Sequence, residues 1–200
     1  MLVLLSPAKR LNEENTQGLH DFKIPFFQAD AEKVNRALKK LSAKKLMALQ
    51  HISADLALQN WQRNQTWNSQ PEAPVYKEAL YLFNGDAYVG LDAKTLSANA
   101  LEFAKQHLRI LSGMYGMLKP FDLIEPYRLE MGTSLKIGRS DNLYSFWKKK
   151  LTAKIKSDFS NVPVVNLASK EYSSSVDFKQ LKNLVIDVEF KDRNAQGEYK

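Results

Sequence analysis

Cysteine is absent from the 200-residue sequence, and histidine is scarce. The first absence excludes disulfide bonds, thiolate metal sites and cysteine nucleophiles, and it suits a reducing compartment. His20, His51 and His107 lie far apart and lack the spacing of metal ligands. No stretch approaches the roughly 18–20 apolar residues of a membrane span, and no basic region precedes the short apolar run at the N-terminus, as it would in a signal peptide. We therefore expect an intracellular protein outside the membrane, without a cofactor or a metal. We also predict no obligate protein partner.

Positive charge is in excess and lies in one central stretch. The chain has 29 Lys and Arg against 22 Asp and Glu, a formal net charge of +7 and a pI near 9.4. Residues 105–156 alone hold 11 Lys and Arg and 4 Asp and Glu, which equals the whole excess. Clustered positive charge attracts polyanions, so the composition favours nucleic-acid binding. A solvated basic surface without a partner is the alternative.

Short apolar runs and capping residues predict a mixed α/β (α+β) fold. Five apolar runs are typical of strands, and they cover residues 2–5, 79–83, 110–113, 163–167 and 184–190. Four polar residues stand where helix N-caps are expected, namely Asp30, Ser42, Ser53 and Ser97. Apolar side chains at four-residue steps predict a further helix over residues 143–159. We predict one domain over residues 1–200, with a central mixed β-sheet flanked by helices.

Two further expectations concern the helical region and the C-terminus. Three short predicted helices suggest a small helical subdomain at about residues 30–67, inserted into the α/β domain. Residues 192–197 are typical of a turn and residues 198–200 of the start of a returning strand. A hairpin cut at this point leaves an unpaired edge, so we expect the C-terminal part of the domain to be missing.

The helical region resembles a helix-hairpin-helix element, which grips DNA phosphates with the amides of its turn. That element favours glycine in the turn, whereas residues 19–84 contain no glycine. Four lysines surround the first turn and offer compensating charge, namely Lys39, Lys40, Lys44 and Lys45. A helical unit that serves only packing is the alternative.

The first strand is followed by Ser6-Pro7-Ala8-Lys9-Arg10. In α/β folds, the carboxyl ends of the strands form the ligand crevice. Ser6 offers a hydroxyl and Lys9 a positive charge to a phosphate or a carboxylate. A capped loop with a solvated lysine is the alternative.

Two later segments combine glycines, aromatic residues and charges. Residues 111–116 match neither a Walker loop nor a Gly-x-Ser-x-Gly elbow, so spacing alone favours a tight turn. In residues 126–132, Arg128 is suited to hold a phosphate with two hydrogen bonds, or to pair with Glu130. Tyrosines interleave with cations here, which suits base stacking beside phosphate contacts, although such aromatic residues more often belong to the core.

Six motifs follow one another along almost the whole chain. They are Ser6-Pro7-Ala8-Lys9, Ile52-Ser53-x-x-Leu56-Ala57, Phe83-x-Gly85-Asp86-x-Tyr88-x-Gly90-Leu91, Leu108-Arg109-Ile110-Leu111-Ser112-Gly113-Met114-Tyr115-Gly116, Pro126-Tyr127-Arg128-Leu129-Glu130-Met131-Gly132 and Asn166-Leu167-Ala168-Ser169-x-Glu171-Tyr172. In this order, they resemble the YaaA family of bacterial peroxide-stress proteins.

The resemblance implies one mixed α/β domain with a positively charged cleft and a helix-hairpin-helix-like element. It implies a cytoplasmic protein that helps bacteria survive hydrogen peroxide by limiting free iron and DNA damage. DNA binding, including binding of distorted duplexes, is the associated activity, and no established catalytic reaction comes with it. The family usually continues past residue 200 with a basic segment, which agrees with a missing C-terminal part.

The predicted site follows from the resemblance and from the motifs. By position in the family, the cleft cations are Lys9, Arg109, Arg128 and Lys170, with Ser6, Ser112 and Tyr127 as polar partners. The motifs add the cations Arg10, Lys44, Lys45 and Lys119 and the polar partners Tyr115 and Glu130.

Two functions from different classes remain open at this point. The first is a DNA-binding stress protein that contacts the backbone with little sequence preference. The second is an enzyme that acts on a nucleotide or a nucleic acid. Its pocket would be formed by six residues, namely Ser6, Lys9, Ser112, Tyr127, Arg128 and Glu130. A separation of Lys9 and Arg128 beyond about 10 Å, the Debye length at 0.1 M salt, would exclude a shared pocket. Direct iron sequestration would need carboxylate ligands, because cysteines and clustered histidines are lacking.

Overall fold

The computed structural model describes residues 1–14, 23–69 and 76–191. Seven strands lie in these ranges: β1 (Leu2–Leu5), β2 (Lys77–Glu78), β3 (Leu108–Ser112), β4 (Gly116–Leu118), β5 (Leu123–Ile124), β6 (Val164–Asn166) and β7 (Val185–Asp187). Five of them form one sheet in the order β4-β3-β1-β6-β7, and β2 pairs with β5 in a separate antiparallel ribbon. β1 is parallel to β3 and β6, β7 is parallel to β6, and β4 is antiparallel to β3. The predicted mixed sheet is therefore confirmed.

Eight α-helices and one 3₁₀ helix accompany the strands in the described ranges. The α-helices are α1 (Gln28–Leu38), α2 (Ala43–Gln50), α3 (Ala54–Thr66), α4 (Ala79–Leu82), α5 (Asp86–Leu91), α6 (Ala98–His107), α7 (Leu143–Asp158) and α8 (Lys170–Ser173), and the 3₁₀ helix covers Phe178–Gln180. Buried side chains of α1, α2, α4, α7 and the sheet belong to one hydrophobic core. Among the described residues, no helix is long and apolar enough to cross a membrane.

Three of the four predicted N-caps are confirmed. The hydroxyls of Ser42, Ser53 and Ser97 each accept a hydrogen bond from the backbone N–H three residues later. The prediction for Asp30 is wrong, because α1 already begins at Gln28. Asp30 lies in the first turn of α1 instead, where the negative charge of a carboxylate interacts favourably with the positive end of the helix dipole.

The strand predicted at residues 79–83 is also wrong, because residues 79–82 form α4. Ala79, Leu80, Leu82 and Phe83 are all buried. A short run that is buried on every side carries no periodicity, and without periodicity a helix and a strand look alike in sequence.

The last predicted strand is confirmed over its centre, as β7. Its alternating apolar side chains point away from the core, however. Four of them are exposed: Leu184, Ile186, Val188 and Phe190. The turn and returning strand predicted for residues 192–200 lie outside the described residues.

Two glycines set how closely β3, α7 and residues 126–132 approach one another. A Cβ atom on Gly113 would lie 2.4 Å from the carbonyl oxygen of Leu129. Gly116 has a φ of +72°, and a Cβ atom there would lie 2.7 Å from the ring of Trp147. The Trp147 indole N–H also donates to the Gly113 carbonyl at 2.9 Å. These contacts fix Leu129, and with it the two charged neighbours Arg128 and Glu130.

Candidate functional site

The carboxyl ends of β1, β6 and β7 share one edge of the sheet because the three strands are parallel. From β1, the sheet extends to β3 and β4 on one side and to β6 and β7 on the other. The strand order therefore changes direction at β1, which is called a topological switch point. Ligands of open α/β sheets bind in the crevice at such a point. A cavity of about 1350 Å³, which we call the main cleft, lies at this edge. Its lining residues are 5–10, 85–88, 148, 166–170, 173, 174, 176–179 and 187–190.

Hydrogen bonds hold the walls of the main cleft together. The Ser6 hydroxyl accepts from the Ser169 backbone N–H at 2.9 Å, which ties the segment after β1 to the segment after β6. The Tyr88 hydroxyl donates to the Ser6 carbonyl at 2.8 Å. The Asn166 side chain donates to Asp187 Oδ1 at 2.8 Å, which ties β6 to β7. The edge of the sheet is therefore a preformed frame rather than a set of free loops.

Charges of both signs line the main cleft. Its cations are Lys9, Arg10, Lys148, Lys170 and Lys179, and its carboxylates are Asp86, Asp177, Asp187 and Glu189. Arg10 pairs with Asp86 at 3.0 Å. Within the described ranges, Lys148, Lys170 and Lys179 form no ion pair. The predicted residues Ser6, Lys9, Arg10 and Lys170 thus meet in one cavity, whose lining is mixed in charge.

Lys9 and Arg128 share one carboxylate beside the main cleft. Glu130 Oε1 accepts from Arg128 Nη2 at 2.8 Å and lies 3.8 Å from Lys9 Nζ. The two cations are therefore closer than about 10 Å, so a shared pocket is not excluded. A second cavity, of about 10 Å³, lies between these three residues and their neighbours. This is about the volume that one water molecule needs.

The hairpin of α2 and α3 lies beside this charged group. The helices are joined by His51-Ile52-Ser53, and His51 has a φ of +51°. A positive φ is the left-handed backbone conformation, which glycine adopts more readily than other residues. The side-chain amide of Gln50, at the end of α2, donates to the Arg128 carbonyl at 2.9 Å.

Buried polar atoms of the same group lack a partner. Gln50 Oε1, Arg128 Nε and Glu130 Oε2 have no hydrogen bond among the residues that the structure describes. Buried polar atoms in folded proteins are nearly always satisfied. A single water molecule in the second cavity, which Arg128 and Glu130 line, would satisfy the atoms of these two residues.

The predicted polar partners Ser112, Tyr115 and Tyr127 lie beneath this surface. All three are buried, and the hydroxyls of Ser112 and Tyr127 are 2.7 Å apart. The Tyr115 hydroxyl accepts from the Trp67 indole N–H at 2.9 Å and from the Glu125 backbone N–H at 3.2 Å. Burial raises the pKa of both tyrosines. The arrangement stabilises the floor of the site and offers no hydroxyl to a ligand in the main cleft.

The structure does not bring Arg109 and Lys119 to the main cleft. The Arg109 guanidinium is buried, donates to the carbonyls of Lys105 and Leu108, and lies 5.0 Å from the centre of the Phe159 ring. Burial also lowers the pKa of Arg109. Lys119 is exposed next to the end of β4, which is antiparallel to β3, so it lies toward the amino end of β3. Lys44 and Lys45 are exposed on α2 and do not line the main cleft.

The structure adds residues that sequence reasoning missed. Asn166 and Asp187 build the β6–β7 wall, and Gln50 links the hairpin to Arg128. An asparagine at the carboxyl end of a buried strand is a sequence signal that would have identified Asn166. No local pattern identifies Gln50 or Asp187, because their roles depend on segments distant in sequence. Among the described residues, no group of three or more His, Cys, Asp and Glu is placed to hold a metal ion.

Comparisons with a family profile and with individual known proteins both find similarity along almost the whole chain. The sequence profile of the family described as Peroxide stress protein YaaA matches residues 1–200. A UPF0246 protein of Neisseria gonorrhoeae is 41% identical over 203 residues, which cover 100% of this chain and 78% of the relative. A UPF0246 protein of Flavobacterium psychrophilum is 44% identical over 96% of this chain and 77% of its own length. One of Shewanella sediminis is 43% identical over 100% of this chain and 79% of its own length.

Proposed function

Because the chain belongs to the family of the peroxide stress protein YaaA, we propose that it serves in the peroxide-stress response by binding DNA. Contacts to the phosphate backbone supply the affinity, with little dependence on sequence. The family name supports the role in peroxide stress. DNA binding and the limitation of iron-driven damage are our own proposals, as is the cytoplasmic location.

The observation that carries this proposal is the position of the α2–α3 hairpin beside Arg128. In the turn His51-Ile52-Ser53, His51 takes the left-handed backbone that favours glycine, although the turn lacks glycine. Gln50 connects this turn to the residue whose side chain shares Glu130 with Lys9. The α2–α3 turn is therefore linked through Arg128 and Glu130 to Lys9, an exposed cation that lines the main cleft.

Exposed lysines at the amino end of α2, about 10 Å along the helix from the His51-Ile52-Ser53 turn, supply the charge for phosphate contacts. Lys40, Lys44 and Lys45 are exposed and form no ion pair within the described ranges. Lysines that neutralise phosphates release counterions, so DNA affinity depends steeply on salt. Such contacts fix the position of the protein on the backbone without reading bases.

The test is a salt titration with the full 200-residue chain. Fluorescence anisotropy with a labelled duplex, and with the same duplex carrying a central bubble, measures affinity between about 50 and 200 mM salt. We expect the logarithm of affinity to fall linearly with the logarithm of salt concentration. The double variant Lys44→Ala/Lys45→Ala reduces the slope by about 2, since each lost phosphate contact contributes about 0.9.

A matched control removes the same charge elsewhere. The double variant Lys105→Ala/Lys119→Ala also lowers the net charge by two, but in the last turn of α6 and beside the amino end of β3. Lys105 pairs with Glu102 at 3.6 Å, and we expect the double variant to keep the wild-type slope. Equal loss in both double variants would mean that only net charge matters. That outcome, or no binding of either DNA at low salt, contradicts the proposal.

A further inference from the structure

Strand order places different chemistry at the two ends of the main cleft. β1, β6 and β7 lie side by side, so the segments that follow them line the cleft in that order. Lys9 follows β1 and Lys170 follows β6, whereas Asp187 ends β7 and Phe190 lies just beyond it. Neighbouring strands are about 4.8 Å apart, so the end of β7 lies about 10 Å from the end of β1 and about 5 Å from the end of β6. The distance from β1 to β7 is close to the length of one nucleotide.

Lys170, Asp187 and Phe190 are each available to a ligand, whereas Lys9 pairs with Glu130 at 3.8 Å. Lys170 is exposed and forms no ion pair with any described residue. Asp187 is oriented by the Asn166 amide through Oδ1, which leaves Oδ2 to accept from a ligand hydroxyl. Phe190 is 76% exposed although it lines a cavity. An aromatic face in this position suits stacking by a flat ring.

We propose that the main cleft binds a nucleoside monophosphate. The phosphate lies beside Lys170, a ribose hydroxyl donates to Asp187, and the base stacks on Phe190. A carboxylate that receives ribose hydroxyls near a strand end, with phosphate at the switch point, is the arrangement of nucleotide sites in α/β sheets. This site does not depend on the proposed DNA contacts at the hairpin.

A single nucleotide fits this cleft better than a continuous strand. Sites for single-stranded nucleic acid combine stacking with a groove that is positive along its length. Here the end at β7 carries Asp187 and Glu189; Glu189 pairs with Lys191 at 3.5 Å, and Asp187 would repel the next phosphate of a strand. One phosphate at the β1–β6 end avoids this repulsion.

Calorimetric titration of the full chain tests the proposal. The probes are AMP, GMP, CMP and UMP, compared with the corresponding nucleosides and with inorganic phosphate. We expect at least one monophosphate to bind more tightly than both its nucleoside and phosphate alone. No binding by any monophosphate, or equal binding by phosphate, overturns the proposal. Tighter binding of an oligothymidylate than of every monophosphate also overturns it, in favour of a single strand.

Variants assign the binding to these residues. We expect Phe190→Ala to weaken monophosphate binding about fivefold or more, through lost stacking. Lys170→Ala weakens it about tenfold or more, through a lost charge-assisted hydrogen bond. Phe103→Ala and Lys119→Ala are the matched controls, since both residues are exposed outside the main cleft. Equal loss in variants and controls contradicts the assignment.

The same variants separate this proposal from DNA binding. Phe190→Ala retains duplex affinity if the hairpin holds DNA, whereas Lys44→Ala/Lys45→Ala retains monophosphate affinity. Loss of monophosphate binding in the hairpin variant would show that the two sites are one, and would overturn the assignment to the β7 end of the cleft.

Discussion

Replacement of Gly113 by alanine tests how the core positions the site. The new Cβ atom would lie 2.4 Å from the Leu129 carbonyl oxygen and 3.3 Å from Leu129 Cγ. The first neighbour is backbone, so it cannot move away by a side-chain rotation. Leu129 must shift by more than half an ångström, and it carries Arg128 and Glu130 with it. We therefore expect Gly113→Ala to lower both stability and DNA affinity.

The magnitude follows from two opposing effects. Overpacking in a filled core costs about 1–3 kcal/mol. Alanine gives the unfolded chain fewer conformations than glycine does, which stabilises the folded state by about 0.4–1 kcal/mol. The net loss is about 1–2 kcal/mol, which lowers Tm by about 2–8 °C for a chain of this size. Gly116→Ala should cost more, because its φ of +72° adds about 1–2 kcal/mol of backbone strain to contact with Trp147.

Gly90 supplies a control with the same chemical change. It lies in α5, and a Cβ atom there meets nothing within 4 Å. Gly90→Ala should therefore stabilise the protein by about 0.5–1 kcal/mol through helix propensity. Urea unfolding, followed by circular dichroism at one pH, measures all three variants. If Gly113→Ala is as stable as wild type, or if Gly90→Ala loses as much stability, the packing argument is refuted.

Two further predictions concern buried polar groups. Burial raises the pKa of the Asp122 carboxyl from its ordinary 3.8 to about 7, so the folded chain binds this proton more tightly than the unfolded chain. The contribution of Asp122 to the free energy of unfolding therefore falls as pH rises from about 4 to about 7, and it is constant above pH 7. Asp122→Asn should remove this pH dependence, which urea unfolding across the same pH range measures. Tyr115→Phe leaves two buried N–H donors without their acceptor and should cost about 2–5 kcal/mol. Tyr127→Phe removes one hydrogen bond to Ser112 and should cost only about 1 kcal/mol; equal losses in the two variants would contradict this account.

Much of the fold could be predicted because local signals were strong. Ser42, Ser53 and Ser97 cap helices through contacts three residues away, which a sequence pattern contains directly. The helix over residues 143–158 shows a regular apolar spacing. The run at residues 79–83 failed because burial on all sides removes periodicity. Strand order could not be predicted, since it depends on contacts between β1, β3 and β6 that are far apart in sequence.

The candidate site was predictable in part for a similar reason. Ser6, Lys9 and Lys170 follow buried strands, and strand ends meet at one edge of a parallel sheet. Arg109 looked equivalent by position, but its side chain turns to nearby carbonyls and a ring. Its neighbours in space come from α6 and from the end of α7, which no local pattern specifies.

The central excess of positive charge does not form one binding groove. Lys150 pairs with Asp30, and Lys154 pairs with Asp158. Both ammonium groups also lie over aromatic rings, and Arg109 is buried. Much of the charge counted in residues 105–156 is thus satisfied within the protein. The cations of this stretch that stay exposed without an ion pair among the described residues are Lys119, Lys136, Arg139, Lys148, Lys149 and Lys156. A polyanion can therefore contact these cations as well as the lysines of α2. The carboxylates of the main cleft distinguish the two proposed ligands, the nucleoside monophosphate and DNA. One phosphate at the β1–β6 end avoids these carboxylates, whereas the successive phosphates of a nucleic-acid strand would be repelled by them.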